Sequence, residues 1–193
     1  MKRAIVFILT AAILFSLSGC GAGQDSSEPK QENQTSEYTE PLEILNEITA
    51  IYGEDDLFAM YGGNQENAVM DAPGKFDITK TEELENTFGL PKDQFSNIED
   101  AASMVHMMNG NTFTGIVYRL KDGVDINDFA DSVKASVLEK QWICGQPDTF
   151  LIVNVDGSYV ITAYGEAGIM EVFKNNALSA LGGAEVITET PVA

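Results

Sequence analysis

Phe150-Leu-Ile-Val-Asn-Val-Asp-Gly-Ser-Tyr-Val-Ile-Thr-Ala-Tyr164 is the stretch whose reading decides the fold. Phe150 to Val155 and Ser158 to Tyr164 are rich in β-branched and aromatic residues, the types that fit a pleated surface. Asp156-Gly157 between them is a strong tight-turn signal, because both central positions of such a turn need positive φ. The stretch therefore reads as a β-hairpin. The residues that follow, from about Ala167 to Leu181, read as a helix.

The same order appears one unit earlier. Ile98 to Met108 reads as a strand, Asn109-Gly110 as a tight turn, and Thr112 to Lys121 as the returning strand. Asp122-Gly123 ends that hairpin. Asp125 is then placed to cap a helix from Ile126 to about Gln141, with Ile126, Phe129, Val133 and Val137 recurring on one face. Strand, strand, helix, arranged twice, predicts an α+β fold: an antiparallel sheet built from hairpins, with helices packed on one face. In the second hairpin Ile152, Asn154 and Asp156 alternate with Leu151, Val153 and Val155, which predicts a partly polar second face open to binding, as a sheet edge also is.

Upstream, Pro41 suits the first position of a helix whose Leu42, Leu45, Ile48 and Ile51 share a face, with Gly53 as a left-handed stop. Leu57 to Tyr61 reads as a short strand leading into a polar loop through Pro73 and Gly74. Thr79 and Glu82 have capping-box spacing for a short helix that ends at Gly89, before Pro91. Downstream, Gly182-Gly183 and the residues after them read as a tail. The single domain is thus expected over residues 41–181, with a tail over 182–193.

The first twenty residues set the expected address. Lys2 and Arg3 precede an apolar run from Ala4 to Phe15, about twelve residues, too short to span a bilayer comfortably. Leu17-Ser18-Gly19-Cys20 follows, an aliphatic residue and two small ones before a cysteine. This reads as a lipoprotein signal peptide over residues 1–19, with Cys20 as the lipid-attachment site. The protein is then expected outside the cytoplasm, held to the cell membrane by acyl chains such as palmitate. Residues 20–40 hold almost nothing apolar and read as a disordered tether of about 25 Å root-mean-square span.

Charge narrows the partners. The formal net charge of −19 becomes −21 once Lys2 and Arg3 leave with the signal. So acidic a surface repels nucleic acid and anionic headgroups, and the acids are scattered rather than run in blocks. With Cys20 acylated, Cys144 has no disulfide partner; between Ile143 and Gly145 it reads as an inert structural thiol.

Sites for chemistry are few. His106 is the one histidine, which excludes paired-histidine zinc sites and leaves nucleophile and base pairings no other imidazole. On a strand Met104, His106 and Met108 share a face, and thioether and imidazole ligands suit Cu(I) or, more remotely, haem iron. Methionine filling a core and a hydrogen-bonded histidine explain the same residues more simply. Glu54-Asp55-Asp56 and the run Asp122, Asp125, Asn127, Asp128 lack the spacing of a calcium loop, and the second suits a helix start. Gly62-Gly63 and Gly182-Gly183 have no following lysine, so neither is a phosphate loop. No cofactor and no catalytic residue is expected.

The opening helix, Thr114-Gly115-Ile116-Val117-Tyr118-Arg119, Glu139-Lys140-Gln141 and Gly157-Ser158-Tyr159-Val160-Ile161 resemble a family of uncharacterised lipoproteins of Clostridia and related Gram-positive bacteria, defined by a domain of unknown function. The resemblance implies a lipoprotein of a Gram-positive cell membrane and brings no catalytic residues. The expected function is a non-catalytic binding or assembly module that meets a protein or cell-wall partner. A lipoprotein binding a small ligand, copper or haem is the alternative.

Overall fold

The computed structural model describes residues 37–143 and 145–192. The segments expected to be a signal peptide and most of a tether, with Cys20, and also Cys144, lie outside the described residues. In chain order the elements are α1 (Pro41–Ala50), β1 (Met60–Gly62), β2 (Val69–Met70), β3 (Gly74–Phe76), α2 (Thr81–Asn86), β4 (Ile98–His106), β5 (Phe113–Leu120), α3 (Ile126–Glu139), β6 (Thr149–Val155), β7 (Tyr159–Gly165), α4 (Ala167–Ala180) and β8 (Ala184–Pro191). Two 3₁₀ turns, Gln65–Asn67 and Lys92–Asn97, precede β2 and β4.

All strand pairs are antiparallel, in the order β2-β1-β4-β5-β7-β6-β8, with β3 also paired to β4. The expected α+β fold with hairpin-built strands is present. At the β6–β7 turn Asp156 and Gly157 have φ of 52° and 70°, as such a turn requires. Asp125 caps α3, its carboxylate accepting from Asn127 N at 2.8 Å and Asp128 N at 3.1 Å.

Helices pack on both faces of the sheet, not on one. Against one face, Ile44, Leu45 and Ile48 of α1 and Met170, Phe173 and Ala177 of α4 pack on Met104, Val117, Leu151, Val153 and Ile161. Against the other, Leu84 of α2 and Phe129, Val133 and Val137 of α3 pack on Ala101, Val105, Ile116, Tyr118, Ile152 and Val160. Each Val, Leu, Ile, Phe or Met among them contributes about 1.5–3 kcal/mol when withdrawn from water. The reason is visible in β6 and β7: Phe150 to Val153 are consecutively buried, and every residue of β7 is buried. Near-continuous apolar strands are covered on both sides. Asn154 and Asp156, which suggested a polar face, sit where the ladder runs into its turn.

The ends of the domain also lie further out than residues 41 and 181. Residues 184–191 are not a tail; they form β8, paired with β6 from Val155↔Ala184 to Thr149↔Pro191. At the other end, Tyr38 is buried, and its carbonyl accepts from the Tyr159 hydroxyl at 3.0 Å. Thr39 donates to Glu43 through both N and Oγ1, at 2.7 and 2.8 Å, so the last residues assigned to the tether close the first turn of α1.

Three local expectations fail for local reasons. Thr79 does not cap α2: its N and Oγ1 both donate to Asp77 Oδ1, and Lys80 takes the cap position. Gly53 does not close α1, which ends at Ala50 with Ile51 at the cap position, and Gly53 O instead accepts from Asp56 N and Leu57 N. Asn109-Gly110 belongs to a wider loop, since the β4–β5 ladder stops at Val105↔Thr114. Gly89, with φ of 71°, does end the segment after α2.

Candidate functional site

The strand face expected to hold Met104, His106 and Met108 is divided by the structure. Met104 is wholly buried beneath α1 and α4. Strand β4 ends at His106, so its alternation does not reach Met108, which is 83% exposed. His106 Nδ1 accepts from Met108 N at 3.3 Å and Asn109 N at 3.4 Å, and its ring stacks on Phe58 with centroids 5.4 Å apart. The imidazole thus shapes the β4–β5 loop. Among the described residues no three His, Cys, Asp or Glu side chains form a group that could hold a metal ion.

A groove of about 670 Å³ runs between α2 and α3, lined by Glu85, Asn86, Ser132, Ser136, Glu139 and Lys140 among others. Lys140 Nζ donates to Asn86 O at 2.7 Å and sits 4.5 Å above the Trp142 ring and 5.4 Å from that of Tyr164. Burial lowers its pKa. Trp142 and Tyr164 meet edge to face at 4.8 Å, and the Tyr164 hydroxyl donates to Thr87 O at 2.5 Å. The ammonium is already bonded to Asn86 O and faces two rings, so Lys140 acts as a clamp that draws the end of α3 onto α2. Sequence reasoning missed it; Lys140 and Trp142 two positions apart after a helix were the only signal.

With both faces covered, the sheet keeps its edges. The β8 edge carries Glu185, Glu189 and Pro191, all exposed, and Glu189 pairs with Lys174 of α4 at 2.8 Å. Charges and proline are the devices by which edge strands resist pairing with another chain. The opposite edge, β2, is two residues long.

Compared with protein-family models, curated proteins and solved structures, the chain matches none.

Four of the exposed large apolar side chains lie at one end of the sheet; Ile51, Val69, Leu138, Ile143, Leu178 and Val186 are exposed as well. Leu57, Met70, Met107 and Met108 are 54%, 55%, 36% and 83% exposed. They come together because β1 sits between their backbones: Met107 N donates to Ala59 O at 2.9 Å, Asp71 N to Met60 O at 2.8 Å, and Tyr61 pairs with Met70. Arg119 and Tyr159, where Tyr38 and Thr39 join the fold, lie at the other end of the ladder. Met107, just past the end of β4, is seven residue steps from Asp100, the partner of Arg119, about 23 Å along the strand direction. In the sequence Met108 reads as a metal-ligand candidate, and Leu57 and Met107 read only as strand residues; nothing there marks Leu57, Met70 and Met107 as a shared surface. Among the described residues no helix is long and apolar enough to cross a membrane.

Proposed function

We propose that this chain is an extracytoplasmic lipoprotein, anchored to the cell membrane through Cys20, whose folded domain is a non-catalytic module that binds another protein. One observation carries the binding reading: both sheet faces are covered and its long edge is guarded, while flexible apolar side chains are exposed together at the end of the sheet away from residues 37–39. An exposed apolar cluster on so acidic a chain costs solubility unless a partner covers it, and methionine is the residue that adapts to a partner surface. Supporting the anchor are the basic start, apolar run and Leu17-Ser18-Gly19-Cys20, together with the resemblance to Gram-positive lipoproteins.

The test has two parts. Cells expressing the full chain and fed labelled palmitate incorporate the label, and Cys20→Ala abolishes it and releases the protein from the membrane fraction; label retained by Cys20→Ala would sink the anchor. A photoreactive amino acid placed at Met108 gives a discrete cross-linked protein in cells, whereas one placed at Glu185 on β8 does not. The reverse pattern would move the binding surface to the sheet edge.

A further inference from the structure

We infer that the methionine-rich end takes a basic amphipathic segment of a partner protein, with the apolar face on Leu57, Met70, Met107 and Met108 and lysines or arginines against the surrounding acids. The inference rests on the binding reading above and adds the chemistry of the partner. Glu54, Asp55 and Asp56 are exposed and directly precede Leu57; Asp71 is exposed and directly follows Met70. None of the four belongs to an ion pair among the described residues. The two stretches that carry the patch, residues 54–71 and 105–111, contain no lysine or arginine. An apolar patch whose own segments carry only negative charge is complementary to one kind of surface, apolar on one side and cationic on the other.

The same charge argues against other occupants. An anionic lipid surface is repelled by an acidic rim, as is nucleic acid. A second processed copy would bring a formal charge of −21, 30 acidic against 9 basic residues, against itself. The thioether side chains give the patch shape tolerance, so recognition is set by the pattern of apolar and cationic positions more than by one fitted pocket.

The full chain, held in phosphatidylcholine nanodiscs, is titrated with a labelled Leu/Lys amphipathic helix about five turns long and with its Leu/Glu counterpart. The expected result is saturable binding of the Leu/Lys helix alone. Binding weakens at least about tenfold in Met70→Ser/Met108→Ser, and by a similar factor when Glu54, Asp55 and Asp56 are changed to Gln, Asn and Asn. These positions are exposed, so the variants are expected to fold. Unchanged affinity in the Met variant would mean attraction by charge alone and overturn the inference. Methionine-dependent binding of the Leu/Glu helix would overturn the partner's charge while leaving the patch as a docking surface. Failure of both helices, with amide exchange at residues 57–60 and 105–110 unaltered, would remove the docking surface as well. Met-dependent binding to phosphatidylglycerol vesicles, or Met-dependent dimerisation, would assign the patch to lipid or to self-association instead.

Discussion

The backbones of Gly62 and Gly74 touch: a Cβ built on Gly62 would lie 1.9 Å from Gly74 N and 2.6 Å from Ser103 O. No side chain fits there. Glycine is what lets β1 and β3 reach the same edge of β4, and Ser103 of β4 locks the arrangement by accepting from Gly63 N at 3.0 Å and donating to Gly63 O at 3.2 Å. Gly62→Ala is expected to destabilise by more than about 3 kcal/mol, because backbone rather than a flexible side chain must move. Ser103→Ala, which orphans a buried N–H, is expected to cost about 1–3 kcal/mol. Urea midpoints compare the two; a Gly62→Ala midpoint equal to wild type would refute the close approach.

Removal of residues 184–193 tests β8. The deletion strips cross-strand partners from all seven residues of β6 and exposes the surface under buried Val192. A loss of at least about 3 kcal/mol is expected, with self-association through the bared apolar edge. Size-exclusion chromatography and urea titration read both effects. A monomeric deletion variant of unchanged midpoint would make β8 dispensable.

Buried phenols make the fold sensitive to base. Burial pushes Tyr164 up to about 12 and raises Tyr118 and Tyr52 as well. In the unfolded chain these groups ionise near pH 10. A phenol that holds its proton more tightly when folded contributes stability that is complete below the unfolded value and is lost as pH climbs through the folded one. Stability should therefore fall between pH 10 and about 12. Tyrosinate absorbance and circular dichroism should then change together; ionisation near pH 10 with the fold intact would contradict the burial.

Lys140 runs the other way. Burial makes its ammonium harder to hold in the folded state, so between its lowered value and that of ordinary lysine the unfolded chain binds more protons. Its contribution to stability therefore rises with pH across that window. After reductive ¹³C-methylation, Lys140 is expected to titrate below the other lysines, and Asn86, Trp142 and Tyr164 to shift with it. A Lys140 signal titrating with the exposed lysines would remove the clamp.

Features built within a few residues were legible in the sequence. Asp125 caps α3 through amides two and three positions on, and Asp156-Gly157 turns because their own φ angles allow it. Other short motifs were legible but outcompeted. Asp77, two positions before Thr79, captured the hydroxyl that a capping box would have used, and the Asn109-Gly110 turn lost to a loop organised by His106 Nδ1. The candidate site was half visible. His106 and Met108 stood out as chemistry-bearing residues, but their grouping with Met104 assumed a strand that stops at His106.

By itself the sequence determined the order of strands and helices in the two units, the caps and turns closed by neighbouring residues, and an acidic charge that limits partners. These depend on local hydrogen bonds, on periodicity and on composition. Only the tertiary structure decided that helices cover both faces, that residues 184–191 complete the sheet, that Tyr38 meets Tyr159 across 121 positions, and that Leu57, Met70, Met107 and Met108 share one end. Each of these joins segments far apart in the chain. Which apolar stripe covers which face is settled by the burial the assembled core gains as a whole, a quantity no short window of residues contains.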